Sequence, residues 1–527
     1  MALKDLTTAE IAALSNSAVA AITAGQMTTL SAEQVAAFTA SQFPSLSIGA
    51  ISGLNAGHMA VLSNAILSGL TVAQAGALRS SQIAALSPSQ LASITVQDLQ
   101  ALSGLAAKGI NAADIGAMSD SQVAALRSAG IAQLETAAIA ALSASQLQAM
   151  TSTQFAGLTT AQIRALSGTQ LAAIENADLD GFNSPQLGAI TSVQFSSLTA
   201  SQLTAMTVQQ FANLSSAQIN ALSNTQIASI ETQDISALTA PVISGLSTTT
   251  LGRLSDAQVA ALRTAQITAL SSSQFASLSE TQLAALTTAQ AAALKSGQIA
   301  ALSGNQLQAL ESEDVAALSS GALLGLNAQS IGEFTNAQIR ALTSKQIFSL
   351  TTTVVAALSA DQIVSLGSVD VVALRTSHIA ALSGTQLAAM TTAQLSMLGT
   401  HQIAAIEASD ITSLTASQLQ ALSTRQANAL RSAQLAALTV DQLQSVQTDD
   451  LAAFSTQALQ GLSASQLAAL SDTQIAALAT REIAALVPQK FNGLSNSQLQ
   501  ALTTTQAAAL RSAQLAALSN SQLNAFE

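Results

Sequence analysis

Few side chains in this sequence could do chemistry, and those that could are scattered. Its three histidines are His58, His378 and His401, and it has no cysteine, tyrosine or tryptophan. Histidine serves as a general base or metal ligand, but no triad-like grouping surrounds any of the three. A nucleophilic Ser or Thr needs a positioned base, and the abundant Ser and Thr recur at fixed places without one. Four acid pairs come closest to a site: Glu175 with Asp178, Glu231 with Asp234, Glu311 with Asp314, and Glu407 with Asp410. Paired carboxylates could bind Ca²⁺, which takes about six to eight oxygens. Successive pairs lie 56, 80 and 96 residues apart, so each offers too few ligands, and acids at helix N-termini are also favoured by the helix dipole. No GxxxxGK[ST] run or Gly-rich phosphate turn occurs. We therefore assign no catalytic, cofactor-binding or metal residue and expect no enzyme, with calcium-dependent assembly left to experiment.

These residues are positioned by a repeat. From Leu6, steps of eight residues reach Leu14, Ile22, Leu30, Phe38, Leu46 and onward to Leu510 and Phe526, and all 66 positions are Leu, Ile, Met, Phe or Val. A second apolar column runs through Ile11, Val19, Met27, Val35 and Phe43 to Leu523, relaxing to Ala at Ala75, Ala107, Ala291, Ala427 and Ala507. The unit is L-[S/T]-x-x-Q-[L/I]-x-A. Residues 1–5 read as a lead-in and 6–527 as one continuous repeat array without a linker.

The period selects the fold. In one continuous helix, eight residues turn through about 800°, so the apolar columns would drift by about 80° per octad and form no stripe. In a flat strand the columns, separated by five and then three residues, would fall on opposite faces. A short helix that ends and restarts every octad satisfies both columns. The local chemistry agrees: Ser or Thr followed three residues later by Gln or Glu is a capping box, as in Thr7/Glu10, Ser31/Gln34, Ser143/Gln146 and Ser519/Gln522. The flanking pair Leu142 and Leu147 forms a hydrophobic staple. Pro88 and Pro488 fall at the first helical position and Pro185 and Pro241 at the second, where no helical N–H bond is lost; Pro44 is the exception. Arg79, Arg127, Arg263, Lys295, Arg375, Arg431 and Arg511 occupy the cap position, each followed by Ser or Thr, which predicts caps displaced by one residue. Helices of about seven residues are unstable alone, so neighbours must stack. The small residue before each anchor (Ala13, Ala21, Gly53, Ala85, Gly157) permits close approach, whereas the position before it (Arg164, Asp180, Asn220, Arg340) faces water. The expected fold is all-α, a solenoid of short capped helices with two or three octads per coil; a β-solenoid is the alternative.

Composition limits function further. Charged residues are 8% and aromatics 2%, with 28 acids against 16 bases for a net charge of −12. Such a chain offers no basic patch for nucleic acid. Mean hydropathy is +0.42, yet Ser, Thr or Gln interrupts every octad, so no apolar run of about 18 residues exists for membrane insertion. Glu10 and the early repeat register argue against a cleaved signal peptide.

The L-[S/T]-x-x-Q-[L/I]-x-x-L array resembles the octapeptide arrays of large secreted or surface proteins of proteobacteria, over nearly the whole chain. The missing cysteines, acidity and lack of an N-terminal signal are similar to type I secretion substrates, although their glycine-rich nonapeptides are missing. The resemblance implies an extracellular or cell-surface location. Leu6 and Phe526 are apolar repeat positions with little flanking sequence, so uncovered terminal faces are expected to invite head-to-tail stacking. The expected function is a structural, self-assembling extracellular rod or filament subunit of a sheath, matrix or appendage, partnered by itself, with a cell-surface anchor as a further candidate partner. The alternative is an adhesin stalk or ice-binding module.

Overall fold

Most octads fold as a helix of four to six residues followed by a two-residue extended step, and a few hold only a 3₁₀ turn. The computed structural model describes residues 2–526. In a typical octad, Ser143 is the extended N-cap (φ −75°, ψ 164°), Ala144–Ala149 is helical, and the next anchor, Met150 (φ −70°, ψ 153°), ends it. Because anchor and cap are both extended, at most six residues remain for the helix, one fewer than the capping pattern suggested. No residue among those described has positive φ. The turn is therefore made from ordinary right-handed and extended conformations and demands no glycine, so Ala, Ser and Thr can stand almost anywhere in it.

No strand occurs among the described residues, and the β-solenoid alternative is set aside. The helices stack as an α-solenoid with three octads per coil: Ala144–Ala149 lies against Asp120–Ala125, its counterpart three octads earlier, and Asp472–Ala477 lies in the same way against Thr448–Leu451. The chain divides into two compact units, Met1–Ala269 and Leu270–Glu527, each built this way. In both, the second apolar column forms the coil interior, with Phe155, Phe195 and Phe211 fully buried in the first and Phe275 and Phe491 in the second. Phe155 stacks on Phe182 at 5.7 Å between ring centres. The anchors, such as Leu142 and Leu158, are buried beside them.

Proline obeys the expected placements: Pro88 and Pro488 open their helices, and Pro185 and Pro241 stand second. Pro44 lies in the 3₁₀ turn Phe43–Ser45. The displaced caps are not found. Arg79, Arg127, Lys295, Arg375, Arg431 and Arg511 remain at the N-cap without a side-chain cap bond, and the following Ser or Thr is the first helical residue. Arg263 keeps the same place, since its N–H donates to Gln266 three residues on, at 2.6 Å. A side-chain cap contributes about 1 kcal/mol, less than shifting one octad against buried neighbours above and below would cost. Three of the cationic heads instead bind carbonyls of the preceding coil: Arg127 Nε donates to Gln100 O at 2.6 Å, Arg263 to Leu238 O at 2.9 Å and Arg375 to Leu350 O at 2.6 Å. Close approach is seen at Gly461 and Gly325, where an added Cβ would collide with the carbonyls of Ser432 and Ser296.

Candidate functional site

The repeated chemistry of the chain is concentrated in the glutamine column. Each end of a short helix leaves backbone N–H or C=O groups without helical partners. In the octad of Gln146, the Ser143 hydroxyl accepts from the Gln146 N–H at 3.1 Å, and Gln146 Oε1 accepts from the Ser143 N–H at 2.8 Å. The same amide then donates through Nε2 to Ile115 O at 2.7 Å and Met118 O at 2.9 Å, in the turn between two helices of the preceding coil. One buried primary amide thus caps its own helix and satisfies the C-terminal carbonyls below it. In the second unit Gln426 repeats this, taking the Ser423 N–H at 2.8 Å and donating to Leu395 O and Leu398 O at 2.9 and 2.8 Å.

Two of the three histidines are members of this column. Buried His58 accepts the Asn55 N–H at Nδ1 (3.2 Å) and places Nε2 3.0 Å from Leu30 O. His378 does the same with Arg375 N–H and Leu350 O, at 3.2 and 3.0 Å. With Nδ1 accepting, Nε2 of His58 faces the carbonyl as the amide nitrogen of Gln does; at His378 the Arg375 guanidinium shares that place, its Nε 3.0 Å from Nε2. Burial, reinforced by the Arg375 charge, holds His378 below the usual histidine range. His401 is exposed on the helix Thr400–Ala405. No base faces a nucleophile in any of these settings.

The acids resolve differently. Asp178, Asp234, Asp314 and Asp410 stand in the glutamine column, but Asp lacks the reach and the donor of Gln. Buried Asp234 Oδ1, Asp314 Oδ2 and Asp114 Oδ1 have no hydrogen-bond partner. Burial, with Glu231 adding, pushes Asp234 up to about 6; burial, with Glu311 and Glu313, pushes Asp314 up to about 6. Asp178 is raised by burial and Glu175, while Asp114 is raised by burial against a bond from the Asn111 N–H. Glu231 and Glu311 make no side-chain cap bond, so the helix-dipole reading describes their place but not their partners'. Asp178 and Asp410 fall in octads whose helices tighten to 3₁₀, Asn176–Gly181 and Ile411–Ser413. Glu482, fully buried, takes the Ala479 N–H at 2.7 Å with Oε2 and has Arg481 3.5 Å from Oε1. Burial, only partly offset by those contacts, lifts it to about 7. The four Glu–Asp pairs do not converge, and among the described residues no three His, Asp or Glu side chains gather in a metal-binding group.

The remaining surface features are shallow. A groove in the second unit is lined by Thr400, Thr424, Arg425, Asn428, Ala453 and Arg481, without a nucleophile–base pair. Among the described residues no helix is long and apolar enough to cross a membrane.

The cross-coil half of the glutamine was not anticipated from the capping box, which accepts Glu as readily as Gln. A signal was present: the column holds 40 Gln against 2 Glu and 8 Asp in an acidic chain, a bias toward the side chain that carries a donor.

Seven segments match the family model of the ALTTAQ repeat: residues 131–168, 171–208, 307–344, 331–368, 363–400, 403–440 and 443–480. Together they span just under half of the chain, and every match begins on the inner apolar column, at Ile131, Leu171, Leu307, Ile331, Ile363, Ile403 and Leu443. No curated protein matches the sequence. A solved structure described as "Structure of APUM23-GGAAUUGACGG" aligns over 84% of this chain and 92% of its own at 14% identity, with a TM-score of 0.14; so low a score carries no argument about fold or ligand.

Proposed function

We propose that this repeat protein is a structural, self-assembling component of an extracellular rod or filament, and that it has no catalytic role. One observation supports the reading above others: one joint recurs between coils in both units. The amide that links Gln42 to Leu14, Gln146 to Met118, Gln426 to Leu398 and Gln498 to Leu470 reaches back 28 residues each time, at 2.7–2.9 Å. A surface that fits the next coil of its own chain fits the equivalent coil of another, and such a heterologous contact propagates into open assemblies. The chemistry is spent on this joint: the buried Gln, His and cap hydroxyls satisfy backbone groups, and among the described residues no three His, Asp or Glu side chains gather into one group. Location outside the cell rests on the resemblance of the octad to secreted arrays, and attachment to a surface anchor belongs to the same proposal.

The test is negative-stain electron microscopy of the purified protein over a concentration series. Particles that lengthen with concentration are expected. Particles of one fixed length at every concentration would overturn the assembly reading while leaving the solenoid intact.

A further inference from the structure

Two exposed apolar ladders run along the solenoid at the coil period, one in each unit. Ile48, Val72 and Val96 stand three octads apart at the first helical position of stacked helices, and they are 52%, 52% and 43% exposed. In the second unit Leu324, Phe348 and Val372 stand three octads apart at the outward position just before the small spacer, and they are 61%, 57% and 49% exposed. The exposed aliphatics Val61, Leu105, Val193, Val208, Val364 and Val440 have no large apolar residue one coil above or below. Ser, Thr, Ala and Gln fill most outward positions, so three successive rungs in each of two columns are a departure that coil packing does not require. Contiguous exposed apolar surface of this kind marks an interaction site.

We propose that the Ile48–Val72–Val96 ladder of one copy packs against the Leu324–Phe348–Val372 ladder of a second copy, joining chains side by side. This rests on the self-assembly reading above and names a contact for it. The occupant is identified by period and charge. A partner must present three apolar rungs at the spacing of one coil, about 9 Å for packed helices, and the surface on this molecule that does so is the other ladder. The octads carrying the first ladder, residues 46–53, 70–77 and 94–101, contain no charge except buried Asp98. The second carries charges of both signs: Lys345 lies in the Phe348 octad, Asp370 in the Val372 octad, and the Arg375 guanidinium sits 5.8 Å from the Phe348 ring centre. Pairing two copies of the second ladder would desolvate Lys345, Asp370 and Arg375 of both chains at one contact, whereas pairing unlike ladders sets one charged set against a neutral face and halves that cost. Size is also complementary: Phe348 projects from the middle rung of one, and Val72 with Ala73 and Gly76 makes the middle of the other shallow. Three side chains leave each ladder well under the ~800 Å² per partner of a stable pair. Single contacts are therefore weak, and strength comes from repetition, because each chain carries both halves.

Sedimentation velocity on the full chain tests this with Val72→Ser, Phe348→Ser and their equimolar mixture, using far-UV circular dichroism to check that each variant is folded. Wild type is expected to sediment as a concentration-dependent series, and each single variant to associate at least about tenfold more weakly for the loss of one buried rung, keeping only the end-to-end association of the coil joint. The mixture is expected to regain side-by-side 1:1 pairing and no wider assembly, because it retains one intact ladder of each kind. Monomeric wild type at its highest soluble concentration would overturn the proposal. So would side-by-side dimers of Phe348→Ser alone in electron micrographs, which would mean that like ladders pair. Electron microscopy of Val72→Ser/Phe348→Ser separates this from the coil-joint reading: end-to-end lengthening without lateral pairing in wild type sinks the ladders alone, and lateral pairing without lengthening sinks the coil-joint reading alone.

Discussion

Replacing Glu482 with Gln should make the coils around it more stable at neutral and alkaline pH and nearly indifferent to pH. Glu482 occupies a glutamine place with no exposed surface. Its Oε2 takes the cap N–H of Ala479 as a Gln Oε1 does, which leaves Oε1 where Gln would donate to the preceding coil. Gln474, one octad earlier, shows what is missing: its Nε2 gives bonds of 3.1 and 3.0 Å to Leu443 O and Val446 O. The corresponding carbonyls for Glu482 are Leu451 and Phe454, and only the protonated carboxyl can donate to them. Among the helices around it, Thr448–Leu451 carries Asp449 and Asp450, while Thr456–Leu459 and Thr504–Ala508 carry no charge. Arg481 is the opposing charge, exposed and 3.5 Å away. A rise from 4.5 to about 7 corresponds to about 3 kcal/mol between the two protonation states. Because the folded-state value is the higher one, this stability is fully present below the unfolded value near 4.5, is lost as pH rises through about 7, and stays lost above it. Long repeat arrays do not unfold as two states, so the readout should be local. Hydrogen exchange of peptides spanning 446–461 and 478–485 should slow about a hundredfold at pH 8 in Glu482→Gln relative to wild type, after correction for intrinsic exchange, and hardly at all at pH 5. Equal pH dependence in the two proteins, or faster exchange in the variant at pH 8, would refute the reasoning.

Other substitutions probe the same joint and its surroundings. Asp234→Gln should stabilise its coils at pH 8 by about 2 kcal/mol, while Asp234→Asn, too short to reach the carbonyls below, should give well under half of that; chemical denaturation followed by local exchange compares them. Gln146→Ala should cost about 3 kcal/mol locally, since it strands the Ser143 N–H and the carbonyls of Ile115 and Met118, and limited proteolysis should cut first near residues 115–146. Gly461→Ala should destabilise by about 1–3 kcal/mol through collision with the Ser432 carbonyl. Gly25→Ala, with nothing within 4 Å of the new methyl, should be neutral or add about 0.5 kcal/mol; thermal melts distinguish these two. Arg79→Ser restores the missing side-chain cap and should raise local stability by about 1 kcal/mol, read by exchange of residues 80–86.

The helices were legible because octad period, cap and proline placement agree on one conformation, so Ser143, Gln146 and Pro88 take their places from spacing alone. The three-octad coil was not, because every octad presents nearly the same side chains to every neighbour and the sequence has little reason to mark each third one. The two apolar ladders are such marks, but the three-octad steps through Ile48, Val72 and Val96 become informative only once the coil is known. The glutamine joint was half legible: Oε1 acts within its own octad, where local spacing describes it, while Nε2 acts on the coil before. The arginine caps failed for the same reason. Local rules favoured moving the cap to Ser80, and the stacked neighbours held the register against them. The buried acids show the converse, since Glu231–Asp234 looks like a pair by spacing while burial and the missing amide set the chemistry of Asp234.

The coil of three octads, joined at most levels by one amide, can be tested directly by covalent distance. The chain has no cysteine, so introduced pairs are unambiguous. Asp120→Cys with Ala144→Cys places thiols three octads apart on stacked helices, and Asp120→Cys with Thr136→Cys places them two octads apart on the same exposed column. A bismaleimide with a short spacer should close the first pair within single chains and leave the second open. Closure of the two-octad pair in preference to the three-octad pair would contradict the three-octad coil and the glutamine joint with it.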